Sequence, residues 1–370
     1  MNVPGEPLLS PCLLLASISP PWRGPEHSLP WPGVKLYRLG RDALAAAVAT
    51  LRPGLVLMPA YVCREAAEGL LLAGREVRYY ALGPALNPDW AVLDTLPTDA
   101  AALVLVHYFG FPADTAAARR WCDERGVALI EDCAHSFLGT VEGRRAGSHG
   151  DFAVFSFRKH LPVASGAALV IHRPADGYVP LTHAPASPGG LGLLPALRKA
   201  AAWAVFVSGS ARLRVWFAPA LSDERGLQAA KPGDGPGMDW TTRRVVARLS
   251  GRFDRIARRR RENYVLLERE LSGCAGVTSL LGPLPVGAVP WGFPLRVERG
   301  PKLRDGLLAT LLHEGIGAWS WPDLPEEVTE ATFPAEWRLA QETVALPVHQ
   351  DLSPAQVQHI ADTVAAWALT

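Results

Sequence analysis

The chemistry-bearing residues of this chain concentrate between Leu129 and Val170, which read LIEDCAHSFLGTVEGRRAGSHGDFAVFSFRKHLPVASGAALV. An apolar run delivers two acids, Glu131 and Asp132. A small-residue turn and His135 follow. Gly150-Asp151 opens a second apolar run that ends at Ser156-Phe157-Arg158-Lys159, and Gly166 stands ahead of a third. This spacing predicts one carboxylate and one amine at the C-terminal ends of buried strands, the edge where open α/β sheets collect ligands. A desolvated lysine at such an edge has a lowered pKa and suits Schiff-base chemistry. A carboxylate beside it holds a proton on a pyridine nitrogen. Each residue alone has a plainer reading: an Asp at a strand end caps helices, and a Lys there is commonly a solvated loop residue. The joint pattern is more specific than its parts.

A lysine and a carboxylate used in this way fit pyridoxal 5'-phosphate as an electron sink. The stretch resembles the DegT/DnrJ/StrS-type family of pyridoxal-phosphate enzymes, the sugar aminotransferases. The resemblance is carried by Glu131, Asp132, Ala134, His135, Gly150, Asp151, Ser156, Phe157, Lys159 and Gly166, and it extends from about Gly40 to the C-terminus. The spacer between Ser156 and Lys159 is two residues shorter than the family's usual one. Ser165 and Ala167 stand where the family has an acid and a second glycine. The resemblance implies a fold-type I aminotransferase-like α/β fold: a mostly parallel sheet in a large domain, followed by a smaller C-terminal α/β domain. It implies that Lys159 carries the cofactor, that Asp132 faces the ring nitrogen, that Ser156 holds the phosphate and that His135 lies against the ring. It also implies a homodimer with sites shared between subunits.

Composition agrees with a packed globular protein. The 370 residues are enough for one large and one smaller domain, each with its own core. The 37 basic and 36 acidic residues nearly cancel, which gives no sign of a nucleic-acid partner. Five cysteines at wide spacing, with no Cys-x-x-Cys, indicate neither a disulfide framework nor a zinc site, so no metal is expected. A reducing cytoplasm is the simplest setting. Leu8 to Ile18 is apolar, but it lacks a basic stretch before it and is broken by Pro11, so it reads as an arm or an early packing segment and not as a targeting signal.

Residues 1–35 are proline-rich and predict an irregular N-terminal arm. The large cofactor-binding domain is expected over 36–240, and an inter-domain helix with the small domain over 241–370. Gly40-Arg41-Asp42 opens an Ala-rich helix whose free N–H groups and positive dipole end suit an anion. In the family the residues matching Arg41 and Asp42 contact the cofactor phosphate; an acid there is expected to point away and leave the backbone to bind. Leu55 to Met58 is a strand ended by Pro59-Ala60-Tyr61-Val62-Cys63. The position of Cys63 often carries a ring-stacking aromatic in the family, which leaves Tyr61 and Tyr108 as replacement candidates. Further strands are expected at Val77–Tyr80, Ala102–Val106 and Val127–Ile130, with a helix at Ala113–Arg125 ended by Gly126; His107 is expected to support its loop. Repeated βα units imply a mostly parallel sheet.

Residues 174–192 read as a loop, and 231–237 as a break. The family's phosphate-reaching Asn of the neighbouring subunit has no counterpart recognisable there. Thr241 to Leu271 predicts one long helix. Its run Arg258 to Arg261 would suit nucleic acid, or a solvated face diluted by Glu262, Glu268 and Glu270. Trp319 and Trp321 read as a substrate entrance or as core. The leading expectation is therefore an aminotransferase that moves an amino group from an amino acid, such as glutamate, to a nucleotide-linked keto sugar. Rival readings are a silent dimeric binding protein on the same fold, a dehydratase or lyase of the same family, and an enzyme at a membrane surface using residues 200–218. The family's dehydratases carry a His where Lys159 stands.

Overall fold

The computed structural model describes residues 1–19, 28–96, 99–173, 186–188, 192–207, 236–298 and 300–369. Its helices are α1 Pro11–Ile18, α2 Gly40–Ala49, α3 Arg64–Leu72, α4 Trp90–Leu93, α5 Thr115–Arg125, α6 Leu193–Val207, α7 Trp240–Leu249, α8 Phe253–Glu270, α9 Pro301–His313, α10 Pro334–Glu342 and α11 Pro354–Ala368. Strands are β1 Lys35–Tyr37, β2 Val56–Pro59, β3 Val77–Tyr80, β4 Ala102–Val106, β5 Ala128–Asp132, β6 Thr140–Val141, β7 Arg144–Arg145, β8 Phe152–Ser156, β9 Ala167–Ile171, β10 Ala186–Pro188, β11 Pro236–Gly237, β12 Val277–Ser279, β13 Gly292–Val297 and β14 Thr343–Pro347. The loop expected at 174–192, the break at 231–237 and the part of 200–218 beyond Val207 lie largely outside the described residues.

Nine strands form one sheet in the order β10-β11-β1-β9-β8-β5-β4-β2-β3. From β8 to β3 every neighbour is parallel. β9 runs against both β8 and β1. β1 therefore points the same way as the parallel set, and Tyr37, Pro59, Val106, Asp132 and Ser156 all end at one edge. Near-continuous burial along β2, β4, β5 and β8 is what a two-sided parallel sheet requires.

The two-residue alternation sorts side chains between two layers. Val104, Ile130, Phe152 and Val154 pack on one face with α2 and α3. Leu103, Leu105 and Leu129 meet α5 on the other, and Ala153 and Phe155 meet α1, α6 and α7. By the same parity Asp132 and Ser156 belong to the α2 face and Glu131 to its opposite. A three-stranded antiparallel sheet, β12-β13-β14, packs with α8, α9 and α11 around a separate core.

Three expectations need correction. The arm is not irregular throughout: Ser10 caps α1, its side chain accepting the Leu13 N–H, with Pro11 at the first helical position. Val3 further bridges Ile316 through paired backbone bonds. The single helix expected from Thr241 to Leu271 is two, α7 and α8, joined by a 3-10 turn at Ser250–Arg252, where the Ser250 hydroxyl bonds back to the Ala247 carbonyl. The basic run is a solvated face only in part: Arg258 is exposed, whereas Arg260 is fully buried and Arg261 donates to the carbonyls of Pro285 and Ala288. All five cysteines are free. Among the described residues, no helix is long and apolar enough to cross a membrane.

Gly110 locks the site edge to the small sheet. Its φ is +91°, and a Cβ there would lie 2.1 Å from the Val289 carbonyl oxygen and 2.9 Å from that of His135. Gly110→Ala should therefore cost about 3 kcal/mol or more, from strain plus backbone displacement. A lowered chemical-denaturation midpoint would register it; a midpoint equal to wild type would contradict the packing.

Candidate active site

Glu131 and Asp132 are adjacent in sequence and opposite in role. Glu131, with a fully buried side chain, accepts hydrogen bonds from His107 Nε2 (2.9 Å) and from the backbone N–H groups of Gly147 (3.1 Å), His149 (2.7 Å) and Gly150. Burial alone would raise its pKa; the His107 bond and the backbone donors outweigh burial and hold the carboxyl below its ordinary range. His107 Nδ1 accepts the Ala113 N–H at 3.0 Å, so the ring proton sits on Nε2 and points at Glu131. His107, Glu131 and Cys133 bring their ligand atoms within 4.8 Å of one another. Both His107 nitrogens are already engaged, and burial pushes the Cys133 thiol far above its usual value. The trio is a structural knot and not a metal centre.

Asp132 points to the α2 side. Its Oδ1 accepts the Ala134 N–H at 2.9 Å, and among the described residues its other oxygen takes no protein hydrogen bond. Burial raises its pKa, and the field of Lys159 opposes the rise. Lys159 sits in the turn after β8. Burial lowers its pKa, while Cys63 and Asp132 pull the other way. Asp132 and Lys159 thus feel each other without forming an ion pair. The Lys159 ammonium lies 4.6 Å from the centroid of the Trp291 ring, a cation–π contact.

The His135 ring stacks on Trp291 (centroids 4.2 Å apart, 29°) and meets the edge of Trp321 at 4.7 Å. Its Nδ1 accepts the Phe109 N–H at 3.2 Å, and burial, aided by Lys159, drives its pKa well below the ordinary value, so the imidazole is neutral. Cys63 caps α3 by position without a side-chain bond. Burial lifts its thiol to about 11, with Lys159 the strongest opposing charge. The proposed aromatic substitutes for Cys63 are turned elsewhere: the Tyr61 hydroxyl donates to the Trp321 carbonyl (2.9 Å), and the Tyr108 hydroxyl to the Tyr61 carbonyl (2.7 Å). The aromatic face that meets Lys159 is that of Trp291.

At the other end, the register Tyr37↔Ala167↔Ser156 sets the Ser156 hydroxyl two strands from the entry to α2. The first intrahelical bond of α2 is Ala43 N–H to Leu39 O, so the N–H groups of Gly40, Arg41 and Asp42 precede it. A Cβ on Gly40 would meet nothing within 4 Å. Asp42 turns back to the Leu39 backbone; burial raises its carboxyl, against Arg41. Gly166, at φ +113°, donates its N–H to the Arg38 carbonyl (2.7 Å) and accepts the Phe157 N–H (2.9 Å), tying the entry to α2 and the lysine turn together. Ser165 donates to Asp239 (2.8 Å), the N-cap of α7, so a carboxylate is present beside position 165, delivered from 74 residues away.

Cys63, Asp132, His135 and Lys159 therefore share one locality, and Ser156 with Gly40, Arg41 and Asp42 a neighbouring one. Sequence reasoning missed Trp291, Arg260 and Asp239. For Arg260 a signal existed: it falls on the buried stripe Ile256, Arg260, Tyr264, Leu267. Trp319 and Trp321 turn out to extend one aromatic cluster, Trp319 lying 5.2 Å from Trp291 and Trp321 packing on Tyr61, Phe109 and His135.

Residues 88–175 and 245–365 match the profile of the DegT/DnrJ/EryC1/StrS aminotransferase family. Among similar proteins is the dTDP-4-dehydro-2,3,6-trideoxy-D-glucose 4-aminotransferase of Saccharopolyspora spinosa, 29% identical over 332 residues, covering 86% of this chain and 80% of that protein. Another is the dTDP-3-amino-3,4,6-trideoxy-alpha-D-glucose transaminase of Micromonospora megalomicea subsp. nigra, 45% identical over 56 residues, 15% of each chain. Similar solved structures include the aminotransferase TlmJ of Streptoalloteichus hindustanus (TM-score 0.67, 23% identity, 98% of this chain and 91% of that one). A second is the putative sugar aminotransferase Spr1654 of Streptococcus pneumoniae in its PLP-form (TM-score 0.71, 14% identity, 100% and 99%). These structures share the fold.

Glu131→Gln should destabilise the protein by about 3–5 kcal/mol, since an amide leaves His107 and one backbone donor without an ionised acceptor. Because the folded pKa of Glu131 is depressed, its contribution is present above the unfolded value of 4.5 and is lost as pH falls through the lower folded value. Denaturation midpoints measured down the acid limb should fall in wild type and stay flatter in the variant. Parallel curves would contradict this.

Proposed function

The chain belongs to the DegT/DnrJ/EryC1/StrS aminotransferase family, and from that premise we propose that it transfers an amino group from an amino acid, glutamate being the first to test, to a nucleotide-linked keto sugar. The acceptor class rests on the relatives, among them the two dTDP-sugar aminotransferases. The cofactor is pyridoxal 5'-phosphate, the group named with the Streptococcus pneumoniae structure. When bound, it supplies an aldehyde for an amine and a protonated ring that accepts an electron pair.

The residues present fit that group. The open turn at Gly40, the N–H groups of Gly40, Arg41 and Asp42, and the Ser156 hydroxyl, which has no protein partner among the described residues, form a place for a phosphate at a positive helix end. The Asp132 oxygen without a protein partner suits a ring N–H, and the Lys159 amine, which makes no hydrogen bond among the described residues, suits an aldehyde. The observation that carries the reading is this pair: an acid and an amine on one sheet edge, in each other's field but not in contact.

Lys159 then has two tasks. Its amine, with a lowered pKa, is available to condense with a carbonyl; once displaced by the donor amine, it takes the proton from the donor's Cα. Burial works against the Asp132 charge and a nearby cation supports it, so Asp132 favours a protonated ring nitrogen. Neutral His135 is a wall and not a second base. His160 is fully buried, which leaves Lys159, and not its neighbour, to face the reactants and favours transamination over dehydration. A homodimer in the cytoplasm completes the proposal, with sedimentation as its test.

Reconstituted wild type should show a visible absorption band that Lys159→Ala abolishes and that an amino donor bleaches. Asp132→Asn should keep the band and slow bleaching by about 10²-fold or more. A band that persists with every donor and returns no keto acid would mark a protein that binds the cofactor without turning it over.

A further inference from the structure

Arg260, at the middle of α8, has no solvent exposure and no carboxylate in contact among the described residues. Its five N–H groups are nevertheless all used. Nε donates to Gln350 Oε1 (2.9 Å), Nη1 to the carbonyls of Pro290 (3.0 Å) and Trp291 (3.2 Å), and Nη2 to those of Lys159 (3.3 Å) and His160 (3.2 Å). Gln350 closes the ring by donating to the His160 carbonyl at 3.1 Å. One planar fork thus grips the main chain of the lysine turn and the main chain of the segment whose indole lies under the lysine amine. A lysine at 260 has three donors on a flexible stem and cannot reproduce that geometry.

We infer that Arg260 is a positioning residue and that the Trp291 indole is the resting surface of the Lys159 ammonium, the guanidinium holding the two main chains so that amine and ring face meet. The inference rests on Lys159 being the reacting amine. The Trp291 ring is itself braced by stacking on His135 and Phe109, and the residue's backbone N–H donates to the Phe109 carbonyl. Among the described residues, the charged or titratable groups that act on the amine or feel its charge are Cys63 and Glu65 at the head of α3, Asp132 at the end of β5, His135 after it, and Arg158 and His160 on its own turn. Burial and Arg158 work against the ammonium, Cys63, Asp132 and Glu65 favour it, and the two histidines are neutral. The indole face adds a stabilisation that needs no second charge, so the amine parks near the ring nitrogen's carboxylate without pairing with it. When the donor amine takes its place on the cofactor, Lys159 has a defined position from which to return the proton.

The test reads the lysine directly in cofactor-free protein. Trace acylation with acetic anhydride across pH, followed by peptide mass spectrometry, gives each lysine a titration midpoint and a high-pH plateau, with exposed Lys302 as internal reference. The midpoint reports protonation and the plateau reports access. Trp291→Leu keeps an apolar wall and removes the π face, so the Lys159 midpoint should fall by about half a unit or more. Arg260→Lys and Gln350→Leu should shift it in the same direction, and the double change Gln350→Leu with Trp291→Leu should move it no further than Trp291→Leu alone. Should Arg260→Lys not fold, Gln350→Leu carries the test, because Gln350 is reached from the half-buried side. A structural role alone would lower the melting temperature or raise the plateau and leave the midpoint in place. Unchanged midpoints, or additive shifts in the double variant, would overturn the inference. A reconstituted wild type with no visible band and no donor-dependent bleaching would instead overturn the aminotransferase reading of Lys159 while leaving the midpoints interpretable.

Discussion

The carboxylate of Glu131 is the point around which the site edge is assembled. A charge without exposure is tolerated only when donors surround it, and here they come from His107 after β4 and from the segment 147–150 that leads into β8. The connection after β4 and the one before β8 are drawn together by one anion on β5. Since successive strand residues face opposite ways, fixing Glu131 beneath the sheet also fixes Asp132 above it. The group that never meets a reactant sets the direction of the one that does.

On the upper face the electrostatics are of another kind. Burial pushes Asp132 up and Lys159 down, and each opposes the other's shift. Neither is stabilised by a dense hydrogen-bond shell as Glu131 is. Each charge supports the other, so protonation of either is coupled to whatever lies between them. The neutral, stacked His135 adds surface without adding competing charge.

Much of this could be read from the sequence because it is local. The runs at Ala102–Val106 and Val77–Tyr80 are strands as bounded, Gly126 ends α5 in a left-handed conformation, and the acid and amine lie at the ends of β5 and β8. The interruption of α7 and α8 was less visible, since Ser250 and Gly251 are tolerated inside a helical pattern. Arg260 was legible only by periodicity; its charge argued for solvent, and its five acceptors come from residues up to 101 positions away. Trp291 was hidden for the same reason, since nothing near it in sequence announces a lysine from the other side of the molecule. Local patterns specify faces and ends, whereas a partner across the fold leaves no local trace.

The bond between Ser165 and Asp239 shows how a missing acid can be made good from elsewhere. Asp239 also holds the Thr242 N–H and hydroxyl at 2.8 Å each, so helix start and strand entry share one anion. Adding a second carboxylate at 165 would set two like charges against each other in a buried spot, and removing the first would strip α7 of its cap. The two positions are therefore coupled: a chimera that brought an acid to 165 while keeping Asp239 would carry both negative charges, and one that lost Asp239 while keeping Ser165 would carry neither.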